Sequence, residues 1–285
     1  VQLDRIDLAD IHHPAVLART IHKLLAKRDG AVPVQDIAVA LDIAEVRLDR
    51  FEGFEGMLLT DTVRSTGCIL ANNSKGRRRA RFTIAHELGH FLMERHQLSA
   101  ATGFTCSAQN MRETRDGRQH LRQETQANQF AIELLAPDYL MDPYYSDDPD
   151  LRDVQRLRDH LDVSLEACVR RMVNRREEPL AAVWSQNGTV RYFAKGADFP
   201  FVALSKGNKI PQTSAAHRAI ANATPGFTQF AEADSHPWTG RSNLELYEQT
   251  RVAANGHAVT LLWAELPEDD KDDGGPKELG MPGFR

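Results

Sequence analysis

The sequence predicts an α+β protein. Three observations carry this: helical periodicity near both ends of an N-terminal stretch, short strand-like runs between those helices, and a change to strand-like alternation after Pro179. A chain of 285 residues has room for one large domain or two to three small ones. With 41% hydrophobic and 26% charged residues, the balance is that of a globular chain rather than a disordered or membrane-embedded one. A formal net charge of -5 gives no global sign of a dedicated nucleic-acid or acidic-lipid binder. Cys68, Cys106 and Cys168 are odd in number and far apart, which argues against a disulfide scaffold and fits a reducing compartment. Asp4, Asp7 and Asp10 interrupt the apolar residues at the start, so no signal peptide is expected. No run is apolar for long enough to span a bilayer, and the expected location is cytoplasmic.

Taken in order, His13 to Lys27 reads as an amphipathic helix with Val16, Leu17, Ile21 and Leu24 on one side, stopped by Gly30. Pro33 to Leu41 reads as a second helix. Val46 to Phe51, Glu55 to Thr60 and Gly67 to Asn72 read as short strands broken by Gly53, Gly56 and Asn72-Asn73. A basic run, Lys75 to Arg81, leads into a helix over Arg81 to Arg95. Residues 97 to 120 read as a loop or lid, and Leu121 to Ala136 as a strong helix ended by Pro137. Pro143 to Leu151 reads as a linker. Two short helices follow, Leu151 to His160 and Leu165 to Arg175, with Ser164 as the N-cap of the second. Leu180 to Ser185, Thr189 to Ala194 and Ala258 to Leu266 read as strands, with a helical segment between the later ones. The tail 267–285 is acidic, then Gly- and Pro-rich, and is expected to be disordered.

The chemistry concentrates in FTIAHELGHFLMERH, residues 82–96. On a helix, His86 and His90 lie one turn apart on one face, so two imidazoles can serve one Zn²⁺. Glu87 beside them can take a proton from a water polarised by the metal and pass it to a leaving amine. Gly89 leaves room for a close neighbour. The apolar flanks Ile84, Ala85, Leu88, Phe91 and Leu92 mark the helix as buried. A catalytic zinc needs a third protein ligand. No histidine stands at the short downstream metzincin position, and His96, six residues after His90, is too near. Glu124, on the helix over 121–136, is a candidate, with Asn128 one turn on as a group that can orient a ligand. Glu124 can equally be an N-terminal charge favoured by the helix dipole, and His120 is a rival third ligand.

RFTIAHELGH, followed by E-x-x-AN-x-FA-x-x-LLAP, resembles the ImmA/IrrE metallopeptidases over roughly residues 30 to 140, and more loosely beyond. The resemblance implies a zincin-like domain with His86, His90 and Glu124 as metal ligands and Glu87 as the base. It implies zinc as cofactor, with manganese as a cellular alternative, and a protein substrate. In the family that substrate is commonly a helix-turn-helix repressor or antitoxin, whose cleavage turns on a stress, mobile-element or toxin–antitoxin response. Gln126 stands where many relatives have an acid, and no effect on metal binding is expected from it.

Other features have competing readings. The basic run can hold an acidic substrate or nucleic acid, Arg81 being nearest the metal helix, or can be a solvated helix approach. The segment 155–177 resembles a helix-turn-helix in spacing, and Arg170, Arg171, Arg175 and Arg176 on its second helix can face DNA. Tyr139, Tyr144 and Tyr145 are candidate oxyanion donors. Cys106 is a candidate thiol switch at the metal, against the ordinary reading of a buried, inert cysteine. The expected organisation is a zincin-like domain over 1–145, a helix-turn-helix-like module over 146–178, a C-terminal mixed αβ domain over 179–266 that can bind a signal or a partner, and the tail 267–285. The expected function is a zinc endopeptidase acting on one protein partner. The alternative is a non-proteolytic transcription regulator or partner-binding protein with a structural metal site.

Overall fold

The computed structural model describes residues 2–97, 103–106, 119–223 and 225–266, with backbone alone at 103–106 and 119. It is a mixed α+β protein built on two sheets. The chain divides into two compact units: residues up to 146 together with 153–168, and residues 147–152 together with those from 169 on. The tail 267–285 lies outside the described residues.

In the first unit, α1 (Pro14–Leu24) starts on a proline, whose fixed φ suits a first helical position, and buries Leu17, Ala18 and Ile21. The short α2 (Val34–Ala40) follows. β1 (Ile43–Asp49), β2 (Gly56–Thr60) and β3 (Gly67–Asn72) join β4 (Gly103–Cys106) in a sheet of order β1-β3-β2-β4. β1 runs parallel to β3, and the other pairings are antiparallel. β1 begins three residues earlier than its alternation suggests, because Ile43 is buried while the strand's later residues face outward. β4 falls inside the stretch read as a loop.

α3 (Arg77–Leu92) carries the motif, and α4 (Gln119–Leu135) packs against both α3 and α1. α3 starts at Arg77, so the basic run forms its first turns rather than an approach to it. Cations are disfavoured at that end of a helix dipole, and acids offset them. The buried Asp162, at φ 52°, faces Arg77 at 2.8 Å, Arg78 at 3.2 Å and Arg81 at 3.5 Å, while Glu55 pairs with Lys75 and with Arg79. The other end of α3 closes at Leu92, earlier than Arg95. There the buried Arg64, at φ 52° in the β2–β3 connection, donates to the carbonyls of Phe91 (3.5 Å), Met93 (2.6 Å) and His96. A cation at the carboxyl end of a helix matches its dipole. α5 (Asp138–Met141) and α6 (Leu151–Leu161) complete this unit, and α6 leads through Asp162 and Ser164 into α7 (Leu165–Arg175). The Ser164 hydroxyl accepts from Ala167 N at 3.1 Å, a side-chain cap at the start of α7.

The second unit is an antiparallel sheet ordered β6-β5-β10-β9-β7, from β5 (Leu180–Gln186), β6 (Thr189–Lys195), β7 (Gly226–Phe227), β9 (Glu245–Val252) and β10 (His257–Glu265); β8 (Ala231–Ala233) also pairs with β9. Two short helices, α8 (Ala215–Ala221) and α9 (Ser235–Thr239), lie between the later strands. One apolar core holds Val183, Phe199, Trp238, Leu246 and Leu262. β9 has no counterpart among the strands expected from the sequence, because it buries Glu248, Gln249 and Thr250. Those polar side chains have backbone work: Glu248 Oε1 accepts from Ala215 N, and Gln249 Oε1 accepts from Leu151 N at 2.7 Å.

Two stability measurements check these contacts. Arg64→Met removes a buried charged donor from three carbonyls, and chemical denaturation is expected to show a loss on the order of 3 kcal/mol; a loss below about 0.5 kcal/mol is the contrary result. Burial raises the Glu248 carboxyl above its ordinary value, against opposing hydrogen bonds from Ala215 and Ala216. A raised folded value means that the native state holds the proton more tightly, so this group's contribution falls as pH rises from the unfolded value through the folded one. Glu248→Gln keeps an acceptor for Ala215 N without the charge. Its Tm is expected to match wild type near pH 4 and to equal or exceed it at pH 8; a variant less stable at pH 8 contradicts this.

Candidate metal centre

The face of α3 that carries the motif is wholly inside the protein: His86, Glu87 and His90 are each 0% exposed. It can be that polar and that buried because α4 brings a complementary polar face against it at very short range. A Cβ on Gly89 would come within 2.9 Å of Phe130 Cδ1, so only glycine permits this approach of the two helices. The approach brings Glu124 to the histidines. Its Oε2 lies 3.4 Å from His86 Nε2 and its Oε1 3.3 Å from His90 Nε2, while the two Nε2 atoms are 3.2 Å apart. One ligand atom from each residue lies within 4.8 Å of the others, and all three residues are buried. Two imidazoles and a carboxylate converging on one point fit the donor set of a divalent metal of the zinc type.

The protonation states also suit ligation. Burial lowers the His90 imidazole to about 4, with Glu124 opposing, so the ring is neutral near pH 7. Burial would raise the Glu124 carboxyl, but the adjoining His86 and His90 outweigh it and hold the group below the ordinary carboxylate range. Glu87 sits beneath β2: a Cβ on Gly56 would collide with Glu87 Oε1 and Thr83 Cγ2. The absent side chain at Gly56 is what gives that carboxylate its space.

Behind the trio stand residues that the spacing of the motif does not reveal. His86 Nδ1 meets Asn128 Oδ1 at 3.1 Å. His90 Nδ1 meets His96 Nδ1 at 2.9 Å, and His96 Nε2 meets Gln126 Oε1 at 3.1 Å. His96 is 4% exposed, and burial, then the neighbouring His90, push its imidazole down to about 3. Helical periodicity cannot find it, because α3 ends at Leu92 and the chain turns back before residue 96.

Other candidate residues lie elsewhere. Arg81 donates to Val32 O at 2.8 Å and to Asp162 O at 3.3 Å, which ties α3 to the residues around it. The Tyr139 hydroxyl is 3.3 Å from His22 Nδ1, and His22 Nε2 in turn meets Leu134 O at 2.8 Å. Leu134 is ten residues along α4 from Glu124, about 15 Å of helix rise, so Tyr139 is not brought to the trio. His120 is exposed and is not part of it. The backbone of Cys106 pairs with Gly56, but its side chain lies outside the described residues, and so does the thiol-switch reading. The Arg170 guanidinium lies over Trp184 (5.0 Å) and Tyr192 (5.5 Å), and Arg176 bonds Glu178 and Asp147 O, so both have intramolecular partners.

Comparison with known proteins fits this geometry. Residues 43–173 match the Peptidase_M78 family, described as an IrrE N-terminal-like domain. Among solved structures, the chain is similar in fold to a Mycobacterium tuberculosis transcriptional regulator, at 16% identity and TM-score 0.53, over 91% of this chain and 92% of that one. No curated protein matches. The matched segment 43–173 holds both the helix with His86, Glu87 and His90 and the helix with Glu124, so the Peptidase_M78, IrrE N-terminal-like match falls on the candidate metal centre.

Proposed function

We propose that this protein is a zinc-dependent endopeptidase that cleaves a specific protein partner, a helix-turn-helix repressor or an antitoxin, and so derepresses a stress, mobile-element or toxin–antitoxin response. The observation that carries the catalytic part is the convergence of His86, His90 and Glu124 beside a buried Glu87. His86 and His90 would hold the metal through Nε2 and Glu124 through its carboxylate. A bound divalent ion supplies Lewis acidity to a water and to the scissile carbonyl. Glu87 takes the proton of the attacking water on a carboxylate oxygen and returns it to the leaving nitrogen. Asn128 holds the His86 ring in place. Zinc suits two imidazoles and a carboxylate, and manganese is the cellular alternative.

The match of residues 43–173 to a peptidase family supports a protein substrate. The regulatory partner rests on the family resemblance and on the fold likeness to a protein described as a transcriptional regulator. That likeness also favours a second reading, a regulator that binds its partner without cutting it. No helix among the described residues is long and apolar enough to cross a membrane, and a soluble partner in the cytoplasm suits the proposal.

Elemental analysis of the full chain is expected to give about one zinc per protein, with Glu124→Ala losing most of it; a chain that takes up no zinc removes the metal reading. Glu87→Gln is expected to keep its zinc and lose partner cleavage by roughly 100-fold or more. If Glu87→Gln still derepresses fully in cells, the non-cleaving regulator is the better reading. Gly56→Ala crowds the Glu87 carboxylate without touching a metal donor. It is expected to retain zinc and lose turnover by on the order of 100-fold, and wild-type turnover would show that Glu87 does not need that space.

A further inference from the structure

The metal-facing nitrogen of His90 depends on where that ring keeps its single proton. A neutral imidazole carries one N–H and one lone pair, and only the lone pair can bind a metal. For His86 the choice is set directly: Asn128 Oδ1 is an acceptor, so Nδ1 carries the proton and Nε2 is bare. For His90 the partner at 2.9 Å is the Nδ1 of another imidazole, His96. Two such nitrogens share one proton, and either can be the donor. If His96 donated, the His90 proton would sit on Nε2, directed at the Glu124 carboxylate 3.3 Å away, and that nitrogen would have no lone pair for a metal.

We infer that His96, set by Gln126, is the positioning residue that fixes the His90 tautomer and turns its Nε2 lone pair toward His86 and Glu124. Gln126 Oε1, 3.1 Å from His96 Nε2, can only accept. His96 therefore carries its proton on Nε2, its Nδ1 is the acceptor, and His90 Nδ1–H is the donor. The direction of one amide oxygen passes through two rings to the metal-facing atom. The second ring is held rigidly. His96 N donates to Met93 O at 2.9 Å, and the Arg64 guanidinium binds the carbonyls of Met93 (2.6 Å) and His96, so both ends of this turn are fixed. His96 is 4% exposed, which leaves little room for water to replace it as acceptor. The chemistry demanded at position 126 is an acceptor oxygen, which an amide or a carboxylate supplies equally and an alkyl side chain does not.

This inference rests on the metal-site reading, and two measurements on the full-length chain separate them. The first is the tautomer of His90 in metal-free protein, from long-range nitrogen–proton NMR spectra of the imidazoles. The second is zinc affinity by competition with a chromophoric chelator. Wild type is expected to show His90 protonated on Nδ1. His96→Phe and Gln126→Leu are expected to populate both tautomers and to weaken zinc by roughly 10–100-fold. Gln126→Glu is expected to behave as wild type within about threefold, the restored acceptor rescuing the site. An unchanged His90 tautomer with unchanged zinc affinity in His96→Phe and Gln126→Leu overturns the inference, and so does a Gln126→Glu variant as weak as Gln126→Leu. A merely structural role for His96 would lower stability without moving the tautomer. Should His96→Phe fail to fold, Gln126→Leu tests the same relay from its outer end. A wild-type chain that takes up no zinc sinks the metal reading, and the metal-free spectrum then decides the role of His96 by itself.

Discussion

The near-contact of α3 and α4 at Gly89 is the constraint on which the rest of the site depends. Phe130 fills the space that a side chain at Gly89 would need, and the two helices meet closely enough for a carboxylate on one to touch imidazoles on the other. The same helix that delivers Glu124 also delivers Asn128 and Gln126, which meet the two rings directly or through His96. A larger separation would loosen the contacts of Glu124, Asn128 and Gln126 together, since each reaches across from α4. The two buried histidines of α3 are tolerable there because their ring nitrogens meet counterparts on α4, on each other and on the turn that follows α3.

The two ends of α3 are managed differently. Its amino end carries several arginines where the helix dipole repels them, and Asp162, Glu55 and Asp159 from elsewhere in the first unit answer those charges. Its carboxyl end needs a cation, and Arg64 supplies one from the loop between two strands. What looks along the chain like a basic patch offered to a partner is in large part an internal clamp on the helix that bears the site.

The helices around the motif, the strands that precede it and the candidate ligand Glu124 were legible because each rests on periodicity or on local spacing. The resemblance to a known family added the pairing of two distant segments. What stayed hidden depends on tertiary contact. His96 lies past the end of a helix, where spacing no longer indicates a face. Gly56 matters only because Glu87 happens to lie beneath it. Arg64 reads as an ordinary loop residue until the helix end it caps is known. β9 looks polar because its buried side chains bond to backbone amides instead of packing as hydrocarbon. Arg81, next to the metal helix in sequence, and Tyr139, a candidate oxyanion donor by residue type, make their contacts with Val32, Asp162 and His22.

The bond between His22 and Leu134 spans 112 residues, so α1 meets α4 only after the whole of the first sheet has been synthesised. A chain leaving the ribosome completes the helix with both histidines well before the helix with Glu124 has emerged. At that stage two donors exist without the third, and the apolar flank of α1 has no α4 to cover it. The candidate metal centre therefore assembles in one step, when α4 docks, and a chain that stops short of α4 has two of its three donors and not the third.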